Sequence, residues 1–353
     1  MTNVSIQKIV ARGKVKLNEL LLRADIKFAR ARGKHPIILV SRPGAMGDII
    51  CTFPMLKALR QKHPKAYIVY GSVGVFLTLP KMSGLVDEVV DVDWRKRVPK
   101  IHEPDFDIII RPLYGIEEPT SLPPVHIVDE FCRRQNIVPS DRQPHVTIAK
   151  QVQRRIGRQI QSLGNEESQA KRIIAIHTGP TWAVKTWPAN NWDDLVQELK
   201  HKQNAIILQL GNDSHIDGGS DKTPRVVGAN DWIGKHSIEE TAAVLEQCDL
   251  FIGLDSGLIH LAGATGTSCV GLFGPTRAEF LMPPGTPSIA LQAGVGCGGC
   301  HHRQPLLHWK TGCPHNVICM ESISVQQVYS ACASFLNQVG EHETDMGIRR
   351  TSA

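Results

Sequence analysis

No stretch of about 18 uncharged apolar residues occurs in this 353-residue chain, so a membrane-spanning helix is not expected. The N-terminus lacks a compact apolar core followed by a small-residue cleavage site, which argues against secretion and for a cytoplasmic location. The glycine loop after the first strand, RPGAMGD, lacks the GxGxxG dinucleotide fingerprint, and with it goes the main support for a nicotinamide or flavin role. Positive charge is scarce outside one segment. Residues 1–35 hold nine Lys/Arg against Glu19 and Asp25, a local charge of +7, while the remainder sets 31 basic residues against 32 acidic ones. A nucleic-acid binder carries its positive patch on the folded body, so no nucleic-acid partner is expected. What remains is ordinary: 42% apolar and 21% charged residues describe a globular protein, and the length favours two domains of roughly 150 residues.

The basic arm at 1–35 places Leu17, Leu20, Leu21, Ala24 and Phe28 at helical spacing, which predicts an amphipathic basic helix. Two placements follow from that pattern: contact with the inner surface of the inner membrane, or packing on the adjacent domain with the charges in water. From Pro36 onward, buried strands alternate with helices. IILVS, YIVYGS, VDEVVDVD and DFDIIIRPL read as strands of a first domain over 36–165, with one helix expected through GDIICTFPMLKALRQKH. A second domain is expected over 170–325, with strands at IIAIHTG, AIILQLG, RVVG, DLFIGLD and SCVGLFG, and a last helix at 322–340. This alternation predicts an α/β protein with parallel sheets.

Three loops carry the residues suited to chemistry. The first runs from Arg42 through Gly44 and Gly47 to Asp48, between a strand and a helix. Its glycines permit a tight turn and close ligand approach. Asp48 suits either a helix-start acid or a general base at the mouth of the first strand. The second loop holds Thr178, Gly179, Thr181 and Lys185, hydroxyl and cationic donors suited to a diphosphate. The third comprises Asp255, Ser256, Gly257, His260 and, further on, Thr276. There the carboxylate suits sugar hydroxyls and the helix-opening amides suit phosphate. Asp213, after AIILQLG, is a weaker candidate for a ribose. Two such units in one chain point to two nucleotide-fold halves facing each other across a cleft.

Five of the nine cysteines lie in apolar or helical patterns and read as small buried hydrophobes. The other four, Cys297, Cys300, Cys313 and Cys319, cluster in a Gly/His-rich segment with His301, His302, His308 and His315 as alternative ligands. Three readings stand: a structural zinc or iron ion, reduced packed thiols, or a redox-sensitive disulfide pair.

The motifs RxGAxGD, HxGxxWxxKxWP, DSGxxHLAxAxGT and LFGPT, in that order over about residues 36–325, resemble glycosyltransferase family 9, the ADP-heptose:lipopolysaccharide heptosyltransferases. The resemblance implies a GT-B fold of two Rossmann-like domains facing a central cleft, acceptor-binding first and donor-binding second. It implies inverting transfer with no cofactor required for catalysis. On this sequence the family's base falls on Asp48, its phosphate-binding lysine on Lys185, and its donor-binding aspartate on Asp255 with Gly257 and His260 beside it. Pro43 stands where leucine is usual, which stiffens the turn and removes no functional group. The implied donor is ADP-heptose and the implied acceptor a lipid-linked core oligosaccharide. Rival expectations are transfer to a protein or surface glycan, or a non-catalytic sugar-nucleotide-binding protein of the same fold.

Overall fold

The structure, a computed structural model, describes residues 18–92, 102–114, 124–164, 172–179, 182–213, 223–303 and 312–346. The chain divides into two compact units, Met1–Thr147 and Ile148–Ala353.

The first unit is built on four parallel strands, β1 (Ile37–Ser41), β2 (Tyr67–Ser72), β3 (Glu88–Asp91) and β4 (Ile108–Ile110), in the order β3-β2-β1-β4. β1 lies in the middle, with Ile38 in register with Ile68 on one side and Ile108 on the other. Its Ile37, Ile38, Leu39 and Val40 are buried, as a strand covered on both faces requires. Aspartates fasten the strand starts. Asp87 accepts from the Ile68 amide at 2.9 Å and Asp107 from the Ile37 amide at 2.7 Å. In the second unit Asp249 does the same for Ile173 at 2.7 Å. Each acid precedes its own strand and satisfies an amide at the head of the neighbouring one, where the ladder offers no acceptor.

The second unit carries six parallel strands: β5 (Arg172–His177), β6 (Ala205–Gln209), β7 (Asn230–Asp231), β8 (Leu250–Leu254), β9 (Cys269–Phe273) and β10 (Ser288–Gln292). Their order is β10-β9-β8-β5-β6-β7. Counted from the start of the unit, this is the doubly wound order 3-2-1-4-5-6, which reverses direction between β5 and β8. Its core packs Ile174, Ile252 and Leu272 of the sheet against Trp192 and Leu199 of the helix Ala189–Gln203, and against Val328 and Cys332 of the C-terminal helix Val325–Met346. Trp187 donates to the Ile323 carbonyl at 2.8 Å and meets Trp192 edge-on at 5.0 Å, tying the loop after β5 to both helices.

Several expectations need correction. The domain boundary at 165 is too late, because the helix Lys150–Gln161 belongs to the second unit. There Gln153 donates to Glu246 at 2.7 Å and Arg155 to Glu240 at 2.6 Å. The helix after β1 is two helices, Met46–Cys51 and Phe53–Lys62, broken at Thr52. Pro54 explains the break: it has no N–H for the carbonyl four residues back and its ring crowds that carbonyl. RVVG is not a strand; pairing with β6 falls on Asn230–Asp231 instead, and β10 was not anticipated.

The amphipathic helix is present over 18–31, and a face other than the predicted stripe packs on the sheet. Ile26 and Ala29 are buried against Ile37, Leu39, Val69 and Phe106, with Leu22 beside them. Leu20, Leu21 and Phe28, from the apolar stripe read in the sequence, are 64%, 53% and 56% exposed. Part of the basic charge is engaged locally: Arg23 pairs with Asp105, Arg30 with Asp107 and Lys34 with Asp87. Ile26→Ala is expected to lower stability by about 2–4 kcal/mol, and Leu20→Ser by less than about 0.5 kcal/mol, read by urea unfolding. Comparable losses for the two would reverse the assignment of faces.

Candidate functional site

In the first unit, the loop after β1 forms around an ion pair. Arg42 is buried and holds Asp48 Oδ2 at 2.8 Å through one guanidinium nitrogen, while another donates to the Pro112 carbonyl at 3.0 Å. The guanidinium also lies 5.4 Å from the Phe131 ring. Pro112 follows β4, so the pair bridges the two strands between which this sheet reverses direction, where open α/β sheets take their ligands. Asp48 occupies the first turn of its helix and is not the cap; that position is Ala45, with no side-chain bond. Its carboxylate is turned by Arg42 and remains 31% exposed. Gly44 is required by this arrangement, since a Cβ there would stand 2.7 Å from Asp48 Oδ2 and 2.9 Å from Arg42 Nε. Gly47 is buried within the helix.

The second unit gathers a denser cluster at its own reversal point. Lys185 follows β5 and Asp255 follows β8, and these strands are neighbours. Lys185 Nζ donates to Asp255 Oδ2 at 2.6 Å, and the Thr276 hydroxyl donates to the same oxygen at 2.7 Å. All three residues are buried. Burial alone would discourage ionisation of Asp255, but Lys185, the Thr276 hydroxyl and His260 together hold its carboxyl below the usual range. The Ser256 hydroxyl, at the head of the helix Gly257–Thr265, is buried, has no hydrogen-bond partner among the described residues and caps no backbone amide. A buried hydroxyl in that state is suited to a ligand oxygen. His260 sits one turn along the same helix, buried.

The remaining expected residues fall less simply. Thr178 is 1% exposed, and its hydroxyl donates to the Pro224 carbonyl and accepts from Gln209, so it turns inward and not towards a phosphate. Gly179 has φ +94°, a conformation that admits glycine readily and exposes backbone to a ligand. Thr181 lies outside the described residues. Asp213 is gripped by both terminal nitrogens of Arg225 at 2.8 Å, which leaves it badly placed for the ribose role.

Three residues were not anticipated as part of this cluster. Trp182 lies beneath the Lys185 ammonium, 4.1 Å from ring centroid to nitrogen, and touches the His301 ring at 4.6 Å. Burial and Lys185 push the His301 imidazole down to about 4; His302, with burial and His301 acting, is likewise near about 4. Trp182 stands inside the HxGxxWxxKxWP motif and was legible there; the histidines had been considered only as ligands beside cysteines. Cys297, Cys300, Cys313 and Cys319 do come together: burial, then the other three thiols, push Cys319 up to about 11. Among the described residues, no group of three or more His, Cys, Asp or Glu is set to hold a metal ion.

The sequence matches the family model of glycosyltransferase family 9 (heptosyltransferase) over residues 134–310. A curated relative, lipopolysaccharide heptosyltransferase 1 of Pseudomonas aeruginosa, is 21% identical over 310 residues, covering 74% of this chain and 85% of that protein. Among solved structures, a family 9 glycosyltransferase from Veillonella parvula superposes with a TM-score of 0.63 at 18% identity, covering 86% and 98% of the two chains. TibC of enterotoxigenic E. coli, an iron-containing dodecameric glycosyltransferase, gives 0.63 at 19% identity over 87% and 77%. At these identities the structural likeness establishes the fold, a GT-B pair of Rossmann-like units.

Lys185→Ala leaves a buried carboxylate without its cation and is expected to cost about 3–5 kcal/mol in urea unfolding. Adding Asp255→Asn removes the stranded charge and should recover part of that loss. Because the Asp255 carboxyl is lowered in the folded unit, its contribution is complete above the unfolded carboxyl's pKa and fades as pH falls through the lower folded value. The acid limb of the stability curve should therefore be shallower in the double variant. Strictly additive losses would contradict the pairing.

Proposed function

The chain belongs to glycosyltransferase family 9 and is a glycosyltransferase, and on that premise we propose that it moves heptose from ADP-heptose to an inner-core lipopolysaccharide acceptor with inversion at the anomeric carbon. The observation that carries this reading is the buried Lys185–Asp255–Thr276 cluster beside the unpartnered Ser256 hydroxyl. A lysine ammonium has three N–H donors. Asp255 takes one at its carboxylate, 2.6 Å away, and a second at its own carbonyl, a longer 3.5 Å bond, which fixes the direction of the third towards a diphosphate. Ser256 and the opening amides of the helix Gly257–Thr265 add neutral donors beside that charge.

In the transfer, the acceptor hydroxyl attacks the anomeric carbon as the bond from that carbon to the diphosphate breaks. Asp48 takes the hydroxyl proton, and ADP leaves with its charge met by Lys185 and the helix amides. Arg42 orients the base through the 2.8 Å contact to Oδ2. No metal enters these steps.

Cys297, Cys300, Cys313 and Cys319 are soft donors of the kind that take zinc or iron, but among the described residues they are not arranged to hold a metal ion. A second reading of the acceptor is transfer to a protein, since a similar relative is the autotransporter heptosyltransferase TibC, 29% identical over 130 residues.

We also infer that the outward stripe of Leu20, Leu21 and Phe28 seats the enzyme on anionic lipid, where a lipid-linked acceptor is met. Lys27 is exposed on this helix and Arg32 lies 4.2 Å over the Phe28 ring, so cations border the apolar stripe. Among the described residues, no helix is long and apolar enough to cross a membrane.

Asp48→Asn is expected to lower turnover by at least about a hundredfold, the scale of a lost general base, with ADP binding unchanged. The assay is product mass after incubation with ADP-heptose and either delipidated core oligosaccharide or a candidate protein acceptor. Near-normal turnover removes Asp48 from the mechanism, and the acceptor that gains mass decides between the two readings. For the lipid contact, replacing Leu20, Leu21 and Phe28 together by serine should abolish co-sedimentation with phosphatidylglycerol vesicles at low salt while the fold is kept. Unchanged sedimentation of that variant defeats the membrane reading.

A further inference from the structure

The cysteine-bearing loop is fastened along the backbone of the LFGPT loop that supplies Thr276. Gly299 N–H donates to the Gly274 carbonyl at 2.9 Å, and His301 N–H donates to the Pro275 carbonyl at 2.8 Å. His302 Nδ1 accepts from the Arg277 amide at 3.1 Å, and its ring lies 5.1 Å from Phe280. Gly274 has no room for a side chain, because a Cβ would meet the Met320 and Cys319 sulfurs at 2.5 and 2.9 Å. The two loops are therefore joined along their backbones.

His301 and His302, side by side on this loop, have different circumstances. His302 is engaged by the Arg277 amide and serves the loop itself. His301 is half-buried, meets the Trp182 ring edge-on at 67°, and has no side-chain hydrogen-bond partner among the described residues. The same indole carries the Lys185 ammonium. Trp182 thus sets an imidazole with open ring nitrogens beside the cation that is read as the diphosphate anchor.

We propose that His301 binds the donor diphosphate, donating a ring N–H to a phosphate oxygen from a position set by the cysteine loop and the Trp182 ring. The proposal rests on the donor-site reading above. It makes the loop around the cysteines part of nucleotide recognition, and it names a nucleoside diphosphate as the ligand His301 meets. The backbone bonds to Gly274 and Pro275 do not depend on the imidazole, so substitution at 301 leaves the loop attached.

The test is calorimetric titration of the full-length protein with ADP and with adenosine. His301→Ala should weaken ADP about tenfold, the scale of one hydrogen bond to a charged group, and leave adenosine unchanged. His301→Gln, which keeps an N–H donor, should recover most of the loss. In turnover the alanine variant should raise the donor KM with little change in kcat. Unchanged ADP affinity overturns the proposal, and so does an equal loss for ADP and adenosine, which would make His301 a pocket-shaping residue. Lys185→Ala separates the two levels of inference. If it too leaves ADP affinity intact, the donor-site reading itself fails; if it weakens ADP while His301→Ala does not, only the role of His301 fails.

Discussion

The buried contact between Lys185 and Asp255 is the constraint on which the second unit's chemistry depends. Each ion is costly to bury alone, and together they are tolerable because the geometry is close and the Thr276 hydroxyl completes the carboxylate's coordination. The pair joins the loop after β5 to the end of β8, the two strands between which the sheet reverses direction. Around it the neighbouring groups fall into place: the indole beneath the ammonium, the open Ser256 hydroxyl, and the cysteine loop against residues 274–277. A ligand phosphate entering here meets a cation already held in one direction, so little ordering remains to be done on binding.

A similar economy of design appears in the first unit. Arg42 joins the end of β1 to the segment after β4 and at the same time turns Asp48. Both units thus place an Arg or Lys bound to an aspartate at the reversal point, but the exposure differs. Asp48 is partly open to solvent and available for proton transfer, whereas Asp255 is buried beneath its lysine and serves to orient it. Two carboxylates in related folds acquire different work from their surroundings.

The motifs were legible because each is contiguous: a strand, a glycine turn and a helix start carry their functional residues within a few positions of one another. The strands of the central sheets were legible for the same reason, as short apolar runs bounded by turn residues. Less visible was the helix Lys150–Gln161, whose apolar face of Val152, Ile156 and Ile160 is clear only once the second unit supplies its partner. The helix at 18–31 was legible as amphipathic, with its placement left open. It has two apolar stripes, and helical spacing identifies both without saying which one faces the sheet. Ile26 and Ala29 won that place, leaving Leu20, Leu21 and Phe28 outside.

By itself, the amino-acid sequence determined the family, the α/β alternation and the candidate site loops, since those features are written in local backbone preference and short motifs. It also marked four cysteines as a group. Tertiary structure alone decided that Lys185 pairs with Asp255, that Asp213 is taken by Arg225, that Thr178 turns inward, and that the cysteine loop lies along the LFGPT loop with His301 beside Trp182. These outcomes depend on which strands become neighbours. Partners 70 residues apart, as Lys185 and Asp255 are, meet only because β5 and β8 lie side by side in the sheet, and no local spacing encodes that adjacency.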